Sequence, residues 1–377
     1  MISSRTSDVS PIGRLLTIRR RRFDLLAIEP FVTRMAIFFC MMPLFRPVEE
    51  LLTWSDLIFC ISAVLLLLSG RMRLSPLGPA TVPWLSAFAL FAVGMLVSSL
   101  LGYEPIRAVI VLGQYFFAYI LLAYILVRTV EAMVDRFIKA FVVGTVSLSA
   151  YGLAVYWSGT DVDFEYVTGS GRLGSLMGNP NANANIIGLT VPFVLYLWYS
   201  KKLGTLLVGA TLAILGTALV ATSSVGGLLW TSTGIAVFVA LTVNWRVLVG
   251  AVICLAVAIP LAAKYGESVL PKTFQTRVLG AAQSGDMGQA GTFSYRMGLI
   301  HEAMDMADET MLLGIGADQF RVKSVSGQPV HNAYLLIWTE GGLPSLIGWL
   351  MLPQIVILSA FWVYVRPGGR IPAATAL

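Results

Sequence analysis

LGTLLVGATLAILGTALVATSSVGGLLWTSTGIAVFVALTV, residues 203–243, contains no charged side chain. An apolar run of this length has no place in a water-soluble core, and it divides at Ser223-Ser224 into two stretches, 203–221 and 225–243, each long enough to cross about 30 Å of hydrocarbon as a helix. The same pattern recurs along the chain. Further apolar runs occupy 51–70, 80–102, 106–127, 137–157, 184–200, 247–263 and 343–365, and a weaker one, 31–45, carries Arg34 inside it. Composition agrees: 57% of residues are hydrophobic, 12% are charged, and the mean hydropathy is +0.79. These values exclude a soluble globular domain. Since only helices and closed barrels satisfy the backbone in lipid, the expected fold is all-α, a polytopic membrane helix bundle of about ten transmembrane helices.

Basic residues set the expected orientation, because cytoplasmic loops retain positive charge. With the N-terminus cytoplasmic, the inside segments hold Arg5, Arg14, Arg19 to Arg22, Arg71, Arg73, Arg128, Arg136, Lys139, Lys201, Lys202, Arg246, Arg366 and Arg370. The short outside loops hold only Arg46, Arg107 and Arg172. One missed helix would invert every later loop, so the alternation supports span count and orientation together. The net charge of +6 is therefore mainly an orientation signal, with the Arg19–Arg22 run lying on anionic cytoplasmic lipid. No nucleic-acid partner is implied; the lipid bilayer is. Cys40, Cys60 and Cys254 fall in apolar runs without paired spacing, which indicates neither disulfides nor a metal cluster. The long basic start without a small-residue cleavage pattern argues against a removable signal peptide.

The organisation expected from these runs is a cytoplasmic basic tail (1–30), a transmembrane bundle (31–263) that includes an external loop at 158–183, an external periplasmic loop (264–331), and a closing segment (332–377) with a re-entry helix, the last span and a short cytoplasmic tail. The two external loops hold nearly all the unusual polar chemistry. On a helical projection of 294–309, Met297, Leu299, Ile300, Ala303, Met304, Met306 and Ala307 share one side, and His301, Glu302, Asp305, Asp308 and Glu309 the other. Ser294 is the expected cap, and Gly314 and Gly316 follow the end. The helix is expected at the membrane interface with its acidic face wet.

Arg296 breaks that pattern by projecting from the middle of the apolar face. Either it snorkels to lipid headgroups, or it points into a polar cavity and holds an anion through its permanent charge and forked donors. His301, on the wet face among carboxylates, is a solvated residue. His331 directly precedes Asn332, the expected cap of a short helix running to Glu340, before the Gly341-Gly342-Leu343-Pro344 break. A histidine there either hydrogen-bonds its loop or, as a neutral imidazole beside backbone donors that favour an anion, takes a proton from an attacking hydroxyl. In the first loop, Gly178-Asn179-Pro180-Asn181 specifies turns and capping, with Asn179 and Asn183 best read that way. Arg172 is the one Lys or Arg between residues 140 and 200, just before the chain re-enters the bilayer.

These stretches resemble the signature regions of the O-antigen ligase/polymerase superfamily: Arg296 to Gly314-Ile-Gly316, Phe320, then His331-Asn332-Ala-Tyr334-Leu335 and Gly342-Leu343-Pro344, with Arg172-Leu-Gly174 to Pro180-Asn181 upstream. The ligase pattern His-Asn, nine residues, Gly is matched by His331, Asn332 and Gly342. The resemblance covers about residues 165–350. It implies a glycosyltransferase of the bacterial inner membrane, acting without nucleotide sugar, cofactor or metal. Such an enzyme takes a glycan from an undecaprenyl diphosphate-linked donor and joins it to a sugar hydroxyl of a glycan, lipid-linked or protein acceptor on the periplasmic side. By that analogy His331 and Arg296 are catalytic, Arg172, Arg296 and, more weakly, Arg321 bind the diphosphate, and Asn181 and Asn332 contribute further substrate contacts.

The chain also departs from the family pattern. Ser223-Ser224-Val225-Gly226 lacks the Arg that follows Ser in many relatives, Ser345 closes the ligase motif, and the chain ends about a dozen residues after the last run, where relatives often continue. Polymerisation of exopolysaccharide or O-antigen repeats is expected in preference to ligation to a core or protein. A rival of another class is a transporter or flippase of a lipid-linked or anionic solute. Against it, no span carries the central acid or Lys pair of coupled transport.

Overall fold

In hydrocarbon the backbone can bond only to itself, and the apolar runs accordingly fold as helices. In the computed structural model the described residues are 25–47, 52–102, 105–128, 130–159, 166–242, 249–250, 253, 270–280 and 293–365. They form α1 (Leu25–Phe39), α2 (Trp54–Leu68), α3 (Thr81–Leu101), α4 (Pro105–Leu126), α5 (Glu131–Ser158), α6 (Pro180–Tyr199), α7 (Thr205–Thr222), α8 (Val225–Thr242), α9 (Phe293–Glu309) and α10 (Ala333–Val365). No named strand occurs among them. Among the described residues seven helices are long and apolar enough to cross a membrane, α3 to α8 and α10, while α2 is a shorter apolar helix. The expected span 247–263 falls almost wholly outside the described residues. The chain is thus a multi-pass membrane protein.

Local chemistry sets the helix ends. Thr53 and Asp56 form a reciprocal capping box at α2, the Thr53 side chain accepting from Asp56 N and Asp56 Oδ2 from Thr53 N. Asn179 Oδ1 accepts from Asn181 N and Ala182 N, and Pro180 opens α6 where a missing N–H costs nothing. Ser223 adopts a left-handed conformation (φ 50°) that turns α7 directly into α8.

α5 is the central helix, packed on α1, α6 and α7. α3 and α10 form the most extensive helix pair through small residues: a Cβ on Gly94 would lie 2.9 Å from the Gly341 carbonyl oxygen, and Ser345 Oγ donates to Phe91 O at 3.0 Å. Close backbone approach of this kind is what holds helices together where apolar burial has no driving force. The unusual Ser345 is therefore a helix-packing residue.

The expected break in the last helix is present. α10 is two helices meeting at Gly342 (φ 69°, ψ −176°), and Asn332 caps the first, its Oδ1 accepting from Tyr334 N at 3.0 Å and Leu335 N at 3.2 Å. The turn after α9 nests into this kink. A Cβ on Gly314 would sit 2.5–2.7 Å from Gly342 N and the Glu340 carbonyl. Gly342→Ala adds a side chain where neither the torsion nor the space permits one. It is expected to destabilise the chain by about 1–3 kcal/mol, whereas Gly113→Ala, which meets nothing within 4 Å, changes stability little. Thermal unfolding of the two purified variants in detergent checks the difference.

Candidate functional site

The end of α5, the starts of α6 and α8 and the end of α7 share one membrane face, and a small hairpin covers them. Val167 and Leu173 form an isolated antiparallel bridge, Thr168 N donates to Arg172 O at 3.0 Å, and Gly171 (φ 71°) makes the turn. The hairpin is fastened to α7, because Leu173 N donates to Ala221 O at 3.0 Å. This buries Arg172 at 8% exposure. Its Nε donates to the Thr222 carbonyl at 2.9 Å and its Nη2 to Asn181 Oδ1 at 2.7 Å. Asn181 is held in turn by the Ser224 hydroxyl at 3.0 Å, which also accepts from Gly227 N at 3.2 Å. The guanidinium lies at the carbonyl end of α7, while α6 and α8 present their N-termini, the ends that favour an anion.

Two further arginines complete the group. A short helical turn, Lys272–Phe274, buries Phe274 and is tied to the hairpin by Thr273 Oγ1 donating to Ser170 O at 2.6 Å. The π-turn Gln275–Gly280 that follows carries Arg277. α9 supplies Arg296. Its buried seam, Leu299, Ala303 and Ala307, packs on α10, and Thr339 Oγ1 donates to Ala303 O at 3.1 Å. The apolar face thus lies on protein, with Met304 left exposed, and Arg296 on the same seam is half-buried. The Nε atoms of Arg277 and Arg296 are both buried without a hydrogen-bond partner. That arrangement fits a cavity-facing guanidinium better than one snorkelling to lipid.

The three cations feel one another. Burial first, then the charges of Arg277 and Arg296, push the Arg172 pKa down to about 10, and burial followed by Arg296 lowers that of Arg277. Among the described residues no carboxylate pairs with any of the three. Arg172 stays cationic at neutral pH, and among the described residues the three arginines form a positively charged group without a carboxylate partner. It suits a multiply charged anion such as a diphosphate.

The other expected residues are placed differently. Arg321 is exposed and its Nε and Nη2 donate to Asp318 at 2.6 and 2.8 Å; Asp318 also pairs with Arg107. Its donors are therefore already engaged, by a carboxylate that it shares with Arg107. His331 is exposed and has no hydrogen bond or ion pair among the described residues. The segment carrying it is anchored to the Arg296 helix: Glu302 accepts from Ser324 Oγ at 2.9 Å and Val325 N at 2.7 Å, and Val330 belongs to the buried apolar cluster of Leu299 and Ala303. His301 is exposed, as its helical face requires.

Sequence reasoning missed Arg277, which lies five residues after Lys272 and so lacks the isolation that singled out Arg172. It also missed the support of Arg172 by Thr222 and Ser224, which only the chain's return 50 residues later creates.

Residues 210–350 match the family model described as O-Antigen ligase. The matched segment contains Arg277, Arg296, Arg321 and His331, and Arg172 and Asn181 lie outside it. No curated protein and no solved structure matches the chain. The match supports the superfamily indicated by the sequence motifs, a family of glycosyl-transferring membrane enzymes.

A cation whose pKa is lowered on folding destabilises the fold at all pH values below that lowered pKa, so the ligand-free site is under repulsion at neutral pH. Arg277→Gln is expected to raise the unfolding midpoint of the ligand-free protein and to weaken inorganic pyrophosphate binding by about tenfold or more, the loss of a charge-assisted hydrogen bond. Scanning fluorimetry and titration calorimetry measure the two effects. An unchanged midpoint together with unchanged pyrophosphate affinity would show that the three charges do not act together.

Proposed function

We propose that this member of the O-antigen ligase/polymerase superfamily transfers a glycan from an undecaprenyl diphosphate carrier to a sugar hydroxyl at the membrane face carrying Arg172, Arg277 and Arg296. That face is the periplasmic side of the inner membrane if the basic segments are cytoplasmic. The observation that carries the reading is the group of three arginines, paired with no described carboxylate, at the helix ends above an apolar groove. The groove, about 430 Å³, runs between α6, α7 and α8, with Ile187 and Leu219 near the arginine end and Trp198 and Val208 toward the other. A polyprenyl diphosphate has the matching form, a long apolar tail with two phosphates at one end.

In this reading Arg172, Arg277 and Arg296 bind the diphosphate and stabilise the charge that develops on it as the bond to the anomeric carbon breaks. Asn181 positions Arg172. His331 accepts the proton of the acceptor hydroxyl while its oxygen bonds to the anomeric carbon, and the carrier leaves as polyprenyl diphosphate. Arg277 supplies the cation that the Ser223-Ser224 corner lacks. Asn332 serves this site by capping the helix that follows His331, and Arg321, exposed and engaged with Asp318, serves at most at its edge.

Two acceptors fit. The modest external loop favours another lipid-linked repeat, hence polymerisation, and the description of the matching family model favours ligation to a core or protein acceptor. In cells lacking the gene, loss of long chains with single repeats still attached to the acceptor identifies a polymerase; long chains stranded on the carrier identify a ligase.

His331→Ala is expected to lower kcat for glycan transfer by about 10²–10⁴-fold, the range for a lost general base, with donor KM little changed. Arg296→Ala is expected to abolish transfer and to weaken donor binding. Both are measured with purified protein in nanodiscs and its lipid-linked donor. Full activity in either variant removes that residue from the mechanism, and transport dependent on an ion gradient would replace the transferase reading altogether.

A further inference from the structure

The opposite membrane face holds a second group of unmatched cations. α1 and α5 lie side by side, and both begin at that face, at the far end of α5 from Arg172. Between them runs a groove of about 320 Å³ whose wall combines Phe31, Phe38 and Val143 with Arg34, Arg136 and Lys139. Phe31 and Val143 are 55% and 54% exposed, so the apolar part is open at the surface.

Two of the acids on these helices, Glu29 and Asp135, are already committed. Glu29, 2% exposed, accepts from Arg128, Thr33 and Ser62. Asp135 pairs with Lys202 at 2.7 Å and accepts from the Tyr196 hydroxyl. Arg34 spends its Nε on the Pro30 carbonyl and lies over the Phe31 ring, while Arg136 and Lys139 have no ion pair among the described residues. Among the described residues, three positive charges therefore line one groove without a carboxylate partner.

Depth identifies the occupant's class. Residues 140–158 of α5 are uncharged and span about 28 Å at the helical rise, close to the full hydrocarbon thickness. Arg136 and Lys139 consequently lie at the rim where lipid phosphates sit, and the apolar wall of Phe38 and Val143 continues inward from them. A soluble anion has no use for that wall. A zwitterionic headgroup would leave its own cation facing three others.

We propose that the groove between α1 and α5 is a binding site for an anionic glycerophospholipid, its phosphate held by Arg34, Arg136 and Lys139 and one acyl chain lying along Phe31, Phe38 and Val143. The site is independent of the transfer chemistry and lies at the other end of the bundle. It would fix α1 to α5 and thereby the position of the central helix in the leaflet.

The test uses purified full-length protein in uncharged detergent with fluorescent phosphatidylglycerol as probe. Saturable binding is expected, competed by unlabelled phosphatidylglycerol and far less by phosphatidylcholine. Arg136→Gln with Lys139→Gln, both exposed positions, should weaken binding by about 25-fold, about fivefold for each cation near the phosphate. Val143→Trp keeps every charge but fills the groove, and should weaken it by about tenfold. Lys201→Gln, which removes an exposed cation elsewhere on the same face, should stay within about twofold of wild type, with thermal midpoints confirming that all variants are folded. Equal competition by phosphatidylcholine, equal loss in Lys201→Gln, or normal binding in Val143→Trp each overturns the proposal.

Discussion

Three guanidinium groups held within one another's field, paired with no described carboxylate, are the arrangement that everything else at this end of the molecule serves. Like charges in a partly buried site repel more strongly than in water, and the surrounding chain must oppose that repulsion by geometry. It does so with short, local ties. Arg172 is fixed by two hydrogen bonds of 2.7 and 2.9 Å, Arg277 by the Thr273 and Phe274 anchors beside it, and Arg296 by the small-residue seam of α9. A surface patch of arginines would separate or recruit acids. This group can do neither.

The contrast with the remaining charged residues is physical. Arg128, Lys202 and Arg321 each meet a carboxylate within 2.6–2.8 Å. Burying an ion requires a partner or a pKa shift. Arg128 has both, a carboxylate partner and a pKa lowered by burial, whereas Arg172 has the shift and no described carboxylate. Buried or groove-lining cations without a carboxylate are the basis for reading ligand sites from charge balance at either end of the bundle.

Much of this was legible in the sequence because the bilayer acts on runs of residues. Helix existence, the Gly342 kink, the Asn332 cap and the exposure of His301 all follow from patterns within a few residues of each other. Arg296 was legible as a violation, a cation on an apolar seam, though the seam turned out to pack on α10 and Thr339. What the sequence could not supply was convergence. The pairing of Arg172 with Thr222, of Ser170 with Thr273 and of Asn181 with Ser224 joins segments 43 to 103 residues apart, and no periodicity encodes such meetings. Arg321 shows the reverse: the sequence pattern carried no sign that Asp318, three residues away and at φ 59°, engages its donors.

The Ser223-Ser224 corner shows how a missing residue and an unexpected one can be the same fact. An arginine opening α8 would extend from a helix N-terminus, whose own partial positive charge opposes it. Here that corner keeps only hydroxyls, Ser224 holding Asn181 and through it Arg172, and the cation comes instead from the π-turn at Gln275–Gly280. Arg277 sits on a segment tied to the hairpin by the Thr273 hydroxyl and anchored by the buried Phe274 ring. Those two anchors, rather than the arginine itself, hold the third guanidinium within the field of the other two.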